Sequence, residues 1–470
     1  ASTDATWNVA VGYSSLFANT SGVGNVSMGY NSLYSNTTGN YSTAIGNRAL
    51  FNSTAGSNVA VGKEALFSTV TGNSNTAVGR EALYSTTSSN NTAVGYQAGY
   101  SNTTGANNTS VGHQSAQNTT TGGNNVAMGQ AALATNTTGS NNAALGYGAL
   151  ALNTTASNNT AVGYQAAYAN TTATGTTAIG YQALLDVTTG SYNTGIGHRA
   201  GQNITTGVRN LALQPFSLQT LTTGNDNIAI GYAALEVATT SSSNVAVGRS
   251  ALASNTTASN NTAVGYQAGY SNTTGTINSA FGLQALYNNT TANNNSAFGA
   301  LSLYSNTTGS ENTAVGREAL TSNTTASNNT AVGYQAGYSN TTGVGITAIG
   351  YQAVLNNTTS VQTTAVGFQA AKSTTGANNT AVGYVALRDN TTGTENAAFG
   401  KYALVQATTG SYNTALGSDA LYSNTTASYN TAMGYQAGYN NTTGNLNVAI
   451  GYRALRGNTT ASYNTAIGET

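Results

Sequence analysis

One short phrase decides the fold of this chain, and its clearest copy is Asn91-Thr92-Ala93-Val94-Gly95-Tyr96-Gln97-Ala98-Gly99-Tyr100. The phrase returns twenty-eight times along 470 residues, at intervals of 16 or 17 residues. We number each copy from its glycine as position 0, so that Val94 is −1 and Tyr96 is +1. Only Gln214 replaces that glycine. A unit this short cannot bury an apolar face alone and must stack on its neighbours, which predicts a solenoid.

The residues before the glycine indicate a β-strand. Position −1 is apolar in every copy, and position −3 is mostly β-branched, as Val94 and Thr92 illustrate. Because these positions share one face of an extended segment, we expect a strand from −4 to +1 with −1 in a packed interior. Position +3 is nearly always Ala and +4 commonly Leu, which predicts a second strand over +3 to +6. On this assignment, replacing Val94 or Val264 by Asp destabilises several coils.

The stretch after these positions reads as the loop of each coil. Asn-Thr-Thr-Gly or Asn-Thr-Thr-Ala recurs there, and these residues favour turns because their side chains bond the local backbone. No apolar stripe with a 3.6-residue period persists, which disfavours helix. The sequence therefore predicts an all-β fold, a parallel β-solenoid or β-roll of about 28 coils of 16–17 residues.

The repeat covers residues 1–470 without a break, so we expect a single elongated repeat domain. One irregular coil is predicted near residues 208–220. There Gln214 replaces the glycine, and Pro215 removes a backbone donor next to it. A bulge or bend is expected at that coil, which we also predict to be the weakest of the chain.

Composition excludes several classes of partner. Lys plus Arg and Asp plus Glu number twelve each, so the chain lacks the basic field that nucleic acid or an anionic membrane attracts. No apolar run reaches the roughly 18 residues of a membrane span, and membrane insertion is not expected. Cysteine is absent, which removes thiolate chemistry and disulfides. Charged residues make up only 5% of the chain, and such a surface favours lateral association over repulsion.

The phrase Asn-Thr-Ala-Val-Gly, followed three residues on by Ala, resembles the Ala-Val/Ile-Gly repeats of trimeric autotransporter adhesin heads. The longer phrase from Tyr96 to Gly105 is similar to repeat shafts of phage tail fibres and related bacterial surface proteins. The resemblance implies a left-handed β-roll assembled as a homotrimer. This chain differs from the adhesin heads in its longer unit and its Asn-Thr-Thr loops. We expect no coiled-coil stalk or anchor after Thr470, and no segment within residues 1–470 resembles the chaperone that often closes phage fibres.

Tyrosine is the residue type that most suggests a binding surface. The chain has 29 tyrosines, and stacking of coils aligns those at +1 and +5 into aromatic strips. Either the strips merely cover the solenoid or a subunit interface, or they bind a sugar or protein partner, since aromatic rings stack on apolar sugar faces. The candidate residues are Tyr96, Tyr100, Tyr164, Tyr168, Tyr266, Tyr270, Tyr334, Tyr338, Tyr435 and Tyr439.

The remaining polar residues indicate no catalytic, metal or cofactor site. His113 and His198 both stand at the variable position +1 and read as surface variants. The neighbours Lys63-Glu64, Arg80-Glu81 and Arg317-Glu318 read as solvated charge. The glycines lack the lysine of a phosphate-binding loop, and no aspartate recurs as calcium-binding repeats require. We expect no enzyme activity, no metal and no cofactor.

Two further possibilities concern Asn and Thr. Asn-x-Thr/Ser triplets such as Asn102-Thr103-Thr104 and Asn424-Thr425-Thr426 could accept glycans in a secreted protein, or they are simply turn residues. Threonine ladders could bind ice, but the threonine at −3 shares its face with the −1 residue that we expect to be buried.

These patterns predict a structural fibre protein, either extracellular or part of a virion. The first hypothesis is a shaft or receptor-binding segment of a phage tail fibre, and the alternative is a bacterial surface adhesin or self-assembling extracellular filament. Expected partners are other copies of the chain and a cell-surface glycan or receptor.

Near-identical blocks centred on Gly95, Gly163, Gly265, Gly333 and Gly434 recur after four and then six repeats. This longer period indicates duplication, and it could also space tyrosine patches for multivalent contact.

Overall fold

The computed structural model describes residues 5–469, and the chain forms two compact units, Ala1–Ser241 and Ser242–Thr470. In the described part of the first unit every regular element is a three-residue β-strand. These strands are β1 (Val9–Val11), β2 (Val26–Met28), β3 (Thr43–Ile45), β4 (Val59–Val61), β5 (Thr76–Val78), β6 (Thr92–Val94), β7 (Thr109–Val111), β8 (Val126–Met128), β9 (Ala143–Leu145), β10 (Thr160–Val162), β11 (Thr177–Ile179), β12 (Thr194–Ile196), β13 (Leu211–Leu213) and β14 (Ile228–Ile230).

The second unit repeats this organisation, and no helix occurs in its described residues either. Its strands are β15 (Val245–Val247), β16 (Thr262–Val264), β17 (Ser279–Phe281), β18 (Ser296–Phe298), β19 (Thr313–Val315), β20 (Thr330–Val332), β21 (Thr347–Ile349), β22 (Thr364–Val366), β23 (Thr380–Val382), β24 (Ala397–Phe399), β25 (Thr414–Leu416), β26 (Thr431–Met433), β27 (Val448–Ile450) and β28 (Thr465–Ile467).

Within each unit, every strand pairs in parallel with the next strand along the chain. The register follows the repeat, so that Val94 of β6 lies opposite Val111 of β7, and Val315 of β19 lies opposite Val332 of β20. The predicted fold class is confirmed: the chain is an all-β parallel β-solenoid, with one strand in each coil. The left-handed winding and the single domain over residues 1–470 stay predictions.

The two faces of the strand are the reverse of what the sequence suggested. Ala93 at −2 is completely buried, whereas Val94 at −1 is 37% exposed. The prediction that −1 faces a packed interior is therefore wrong. The interior is narrow, because a Cβ added to Gly195 at −2 would lie only 2.8 Å from Leu184 of the preceding coil. Only small side chains fit at −2, so the larger −1 and −3 side chains point outward.

The predicted second strand over +3 to +6 is also wrong. Backbone φ is positive at +2 and +4 in most coils, as in Gln114 (55°) and Ala116 (44°), which lies outside the β region. The amide of Gln114 donates backward to Tyr96 O at 2.9 Å, and the amide of Ala116 donates forward to Ala132 O at 2.8 Å. These residues form a hydrogen-bonded turn that buries Ala at +3 and Leu, Ala or Gly at +4.

The glycine at position 0 lets neighbouring coils approach closely. Gly112 has φ of +132°, and a Cβ there would lie 2.6 Å from the carbonyl oxygen of Gly129 in the next coil. Both the backbone angle and the close approach require glycine.

A buried asparagine at −4 closes most coils and holds the next one, although Ser42, Thr176, Ile346 and Thr363 replace it in four coils. The Nδ2 of Asn142 donates to Ala156 O at 2.9 Å, at the far end of the same coil. Its Oδ1 accepts the backbone amide of Asn159 in the next coil at 3.0 Å. The same pair of bonds recurs in the second unit, where Asn278 bonds Ala292 O and the amide of Asn295. A column of buried side chains therefore ties successive coils together.

A second buried column lies at +7, inside the loop. The Nδ2 of Asn153 donates to Ala156 O at 3.1 Å and to Oδ1 of Asn136 in the preceding coil at 2.9 Å. The loop threonines at +8 and +9 point outward, and the hydroxyl at +8 commonly donates to the next coil, as Thr154 Oγ1 does to Thr171 O at 3.0 Å. The loop is thus confirmed as irregular, but its asparagine is part of the core.

The coil at residues 208–220 keeps the strand register of its neighbours. Leu211 lies opposite both Thr194 and Ile228, so β13 contains no bulge. Pro215 removes no ladder bond, because among residues 5–241 the +1 amides of Tyr181 and His198 donate no backbone hydrogen bond either. The local irregularity lies at Gln214, a non-glycine residue with φ of 92°. That this coil is the weakest stays a prediction.

The asparagine column predicts opposite outcomes at two adjacent positions. We expect Asn142→Asp to cost at least about 3 kcal/mol, since a carboxylate oxygen replaces the donor to Ala156 O and a charge is buried. Asn141→Asp is the control, because Asn141 is exposed and Asp226 occupies the same position in another coil. Denaturant unfolding of both variants measures the difference. Equal denaturation midpoints for the two variants would show that the hydrogen bonds of Asn142 do not stabilise the fold.

The Gln214 backbone predicts that Gln214→Gly stabilises its coil by about 1 kcal/mol, because glycine adopts positive φ without strain. Pro215→Ala should change stability less than about 1 kcal/mol, since no ladder bond is restored. Amide hydrogen exchange in β12, β13 and β14 measures the change in local stability caused by each substitution. Stronger protection after Pro215→Ala than after Gln214→Gly would contradict this assignment.

Candidate functional site

The outward −1 residues form one apolar row along each unit. Every described coil contributes Val, Ile, Leu, Met or Phe to this row. The side chains lie in register on the flat strand face, and many are more than one-third exposed, including Met28, Val94, Met128, Phe298, Val315 and Phe399. An exposed apolar surface that continues through successive coils is typical of an interaction surface. The sequence does contain a signal for this outward row. Position −2 is always Ala, Ser or Gly, and such uniformly small residues indicate that −2 faces the narrow interior and −1 faces outward.

The threonines at −3 share this outward face, which removes the reason for setting ice binding aside. However, the neighbouring −1 side chains range in size from Val94 to Phe281 and Phe298. A row of such unequal side chains does not repeat as a crystal lattice does. It suits an adaptable apolar contact better.

The ten candidate tyrosines lie on the outer surface of the turn segment, as the sequence predicted for +1 and +5. Those at +1 are the more exposed, and those at +5 are half-buried. Burial raises the pKa of the phenol groups of Tyr100, Tyr287 and Tyr439, all at +5. Both rows are interrupted along each unit, at Gln130 and Leu283 among the +1 positions and at Gln117 and Leu355 among the +5 positions. Their assignment to a sugar or protein partner stays a prediction.

Most of these rings stack face to face in columns. In the first unit, Phe17, Tyr34, Phe51, Phe67, Tyr84 and Tyr100 form a run whose successive centroids are 5.0–5.3 Å apart. Tyr164 lies between Tyr147 and Tyr181, each at 5.3 Å. In the second unit, Tyr270 stacks on Tyr287 at 5.1 Å, and Tyr334 stacks on Tyr351 at 5.5 Å.

Stacking within a column changes what the tyrosines can do. A ring between two neighbours, such as Tyr164, has both faces covered and presents only its edge and hydroxyl to solvent. Among the described residues, each of the other nine candidate tyrosines has an aromatic ring on one face at most. His198 extends one such column by stacking on Tyr181 at 5.1 Å, whereas His113 lies 5.2 Å from Tyr96 with its ring tilted by 31°. In the described residues no aromatic ring stacks on Tyr168 or Tyr338, which are equivalent +5 residues in two related blocks.

Side chains at +2 form a polar row beside the +1 tyrosines. In the second unit, Gln369 donates to Gln352, Gln352 donates to Gln335, both at 2.9 Å, and Gln335 donates to Glu318 at 2.7 Å. In the first unit the pKa of Glu81 is lowered because Gln97 and Arg80 donate hydrogen bonds to its carboxylate. The Glu81 and Glu318 side chains are only 13% exposed, so these carboxylates are less solvated than the sequence suggested.

Within residues 5–469, no three His, Asp or Glu side chains lie close enough together to hold a metal ion. The described residues also contain no helix long and apolar enough to span a membrane. No protein-family model matches the chain, and none of the curated proteins gives a significant match.

The ring columns predict that stability at +5 depends on neighbours above and below. We expect Phe51→Leu to cost about 1–2 kcal/mol more than Tyr168→Leu, because Phe51 loses two stacking contacts and Tyr168 none. Leu185 shows that a leucine fits at +5. Both substitutions lie in the first unit, so denaturant unfolding of the two variants compares their losses of stability directly. Equal losses would mean that the columns only cover the surface.

Proposed function

We propose that this chain is a structural fibre protein whose copies associate along the apolar −1 row. The single observation that carries the proposal is that this row is outward and apolar in every described coil. An apolar row of this length is unfavourable in water, and removing it from water supplies about 25 cal/mol per Å². An ordinary monomer rarely leaves such a surface uncovered.

Another copy of the chain is the partner that best matches this row. A partner must present apolar side chains at the coil spacing, about 4.8 Å, over many coils. A second in-register solenoid does so with the same residues. The shortage of charge removes the repulsion that would keep copies apart. The homotrimer implied by the resemblance to adhesin heads and tail-fibre shafts is one closed arrangement of such contacts.

Within this proposal, the chain is a shaft or receptor-binding segment of a phage tail fibre, outside the cell or in the virion. The stacked aromatic columns favour the shaft, because packing of successive rings stiffens neighbouring coils against one another. The alternative is a bacterial surface adhesin or self-assembling extracellular filament, which would use the same row. A glycan or receptor at the tyrosines, and multivalent contact through the repeated blocks, remain parts of the proposal to be tested. No catalytic role is proposed.

The test places a charge on the row and an equal charge elsewhere. We expect the double variant Val94→Asp with Val315→Asp to weaken self-association at least tenfold, because each aspartate would be desolvated in the contact. The control is Thr104→Asp with Thr325→Asp, which adds the same charge at exposed +9 positions. Sedimentation velocity measures assembly, and circular dichroism checks that each fold survives.

Two outcomes would overturn the proposal. If the Val94 and Val315 variant assembled as well as the Thr104 and Thr325 control, the row would not be the contact. If the unsubstituted chain remained monomeric at every concentration, self-association itself would be wrong.

A further inference from the structure

The Asn-x-Thr/Ser triplets fall into groups that the sequence alone does not separate. In the first group the asparagine is at +7, as in Asn102 and Asn424. Both of these side chains are buried. Their Nδ2 atoms, where a glycan would attach, donate to Gly105 O at 2.9 Å and to Ala427 O at 3.2 Å. A sugar on either nitrogen would have to occupy the packed interior.

In the second group the asparagine is at −5 and the hydroxyl residue at −3. Asn158 is exposed, and Thr160 is partly exposed on the same outward side of the chain, because residues two apart point to the same face. Within residues 5–241, neither side chain is engaged in an intramolecular hydrogen bond. Between them, Asn159 points inward and serves the −4 column. Acceptor nitrogen and hydroxyl therefore lie together on the outside.

A third group has its asparagine at +6, as in Asn118-Thr119-Thr120. Asn118 is exposed, but the hydroxyl of Thr120 donates to Thr137 O of the next coil at 3.0 Å. The folded coil thus engages the hydroxyl that completes the acceptor triplet. Exposure of the nitrogen and a free hydroxyl coincide only in the second of these three groups.

We infer that the −5 asparagines are the N-glycan acceptors of this chain, an inference that rests on the proposed extracellular location. The acceptors are Asn90, Asn107, Asn158, Asn260, Asn294, Asn328 and Asn378, all exposed and each followed two residues later by Thr or Ser. The donor is a lipid-pyrophosphate-linked oligosaccharide supplied by the host. A bond forms between Asn Nδ2 and sugar C1, the C1–O bond to the pyrophosphate breaks with its electron pair, and the amide proton goes to a base of the transferase.

Transfer to a folded coil requires an accessible acceptor nitrogen and a hydroxyl that is free to contact the transferase, and of these three groups only the −5 triplets offer both. A glycan at −5 projects into solvent and leaves the coil intact. A glycan at +7 removes an N–H from a buried amide and prevents its coil from closing. Folded, secreted protein is therefore expected to carry sugar at −5 and none at +7.

The experiment secretes the full chain from a glycosylating eukaryotic host and maps occupied asparagines by mass spectrometry after enzymatic deglycosylation in heavy-oxygen water. A pair of variants at Ala143 tests the assignment further. Asn141 is exposed at −5, but it lacks an acceptor triplet because Ala143 stands at −3. We expect Ala143→Thr to add a glycan at Asn141 and the isosteric Ala143→Val to add none. Thr160→Val should remove the glycan at Asn158, and Thr160→Ser should keep it.

Sugar on Asn102, Asn153 or Asn424 in folded protein would overturn the inference, since those nitrogens would then be accessible. Sugar on Asn118 would show that exposure alone decides. An empty Asn158 together with an unchanged Asn141 in Ala143→Thr would refute the assignment outright. None of these outcomes depends on self-association, so the fibre proposal and this inference fail independently.

Discussion

The structure depends on the hydrogen bonds of the buried asparagine at −4. A coil of this size has an interior filled largely by alanine and leucine, and such small side chains bury little apolar surface. Asn142 joins the two ends of its own coil through Nδ2 and receives the amide of the next coil through Oδ1. Where both ends of the amide are paired, as in Asn142, it stabilises the stack, whereas an unpaired buried group such as Nδ2 of Asn159 costs about 1–3 kcal/mol. The same side chain also fixes the register, because a one-residue slip would leave both partners unmatched.

Much of the fold could be predicted from the repeat. The period gave the number of coils, the β-branched residues before the glycine located the one strand of each coil, and Asn-Thr-Thr located the loop. The faces could not be assigned from alternation alone, because alternation groups Thr92 with Val94 without saying which side is inside. Volume decides that question, and the uniformly small residue at −2 was the relevant signal. The second strand was mispredicted because Ala and Leu at +3 and +4 are equally compatible with a turn that buries both.

The candidate site was predicted in part. The tyrosine rows lie where the +1 and +5 positions indicated, but the sequence could not show which rings stack, or that Tyr164 is covered on both faces, since that depends on side-chain angles. The apolar row at −1 was assigned to the core and is instead the main outer surface. The asparagines were taken for turn residues because Asn is common in turns, although a polar residue repeated at one position in nearly every coil also indicates a buried ladder.

The chain thus separates its roles by position within the coil. Inward residues at −4, −2, +3, +4 and +7 build the stack, the −1 row offers an apolar surface, and the +1 and +5 rings stiffen the exterior.

The absence of cysteine permits a direct test of this division. Val94→Cys and Ala93→Cys are each reacted with a maleimide in dilute and in concentrated protein. We predict rapid reaction at position 94 that slows as the chains assemble, and slow reaction at position 93 under both conditions. Rapid reaction at 93, or reaction at 94 that does not change with concentration, would contradict the account.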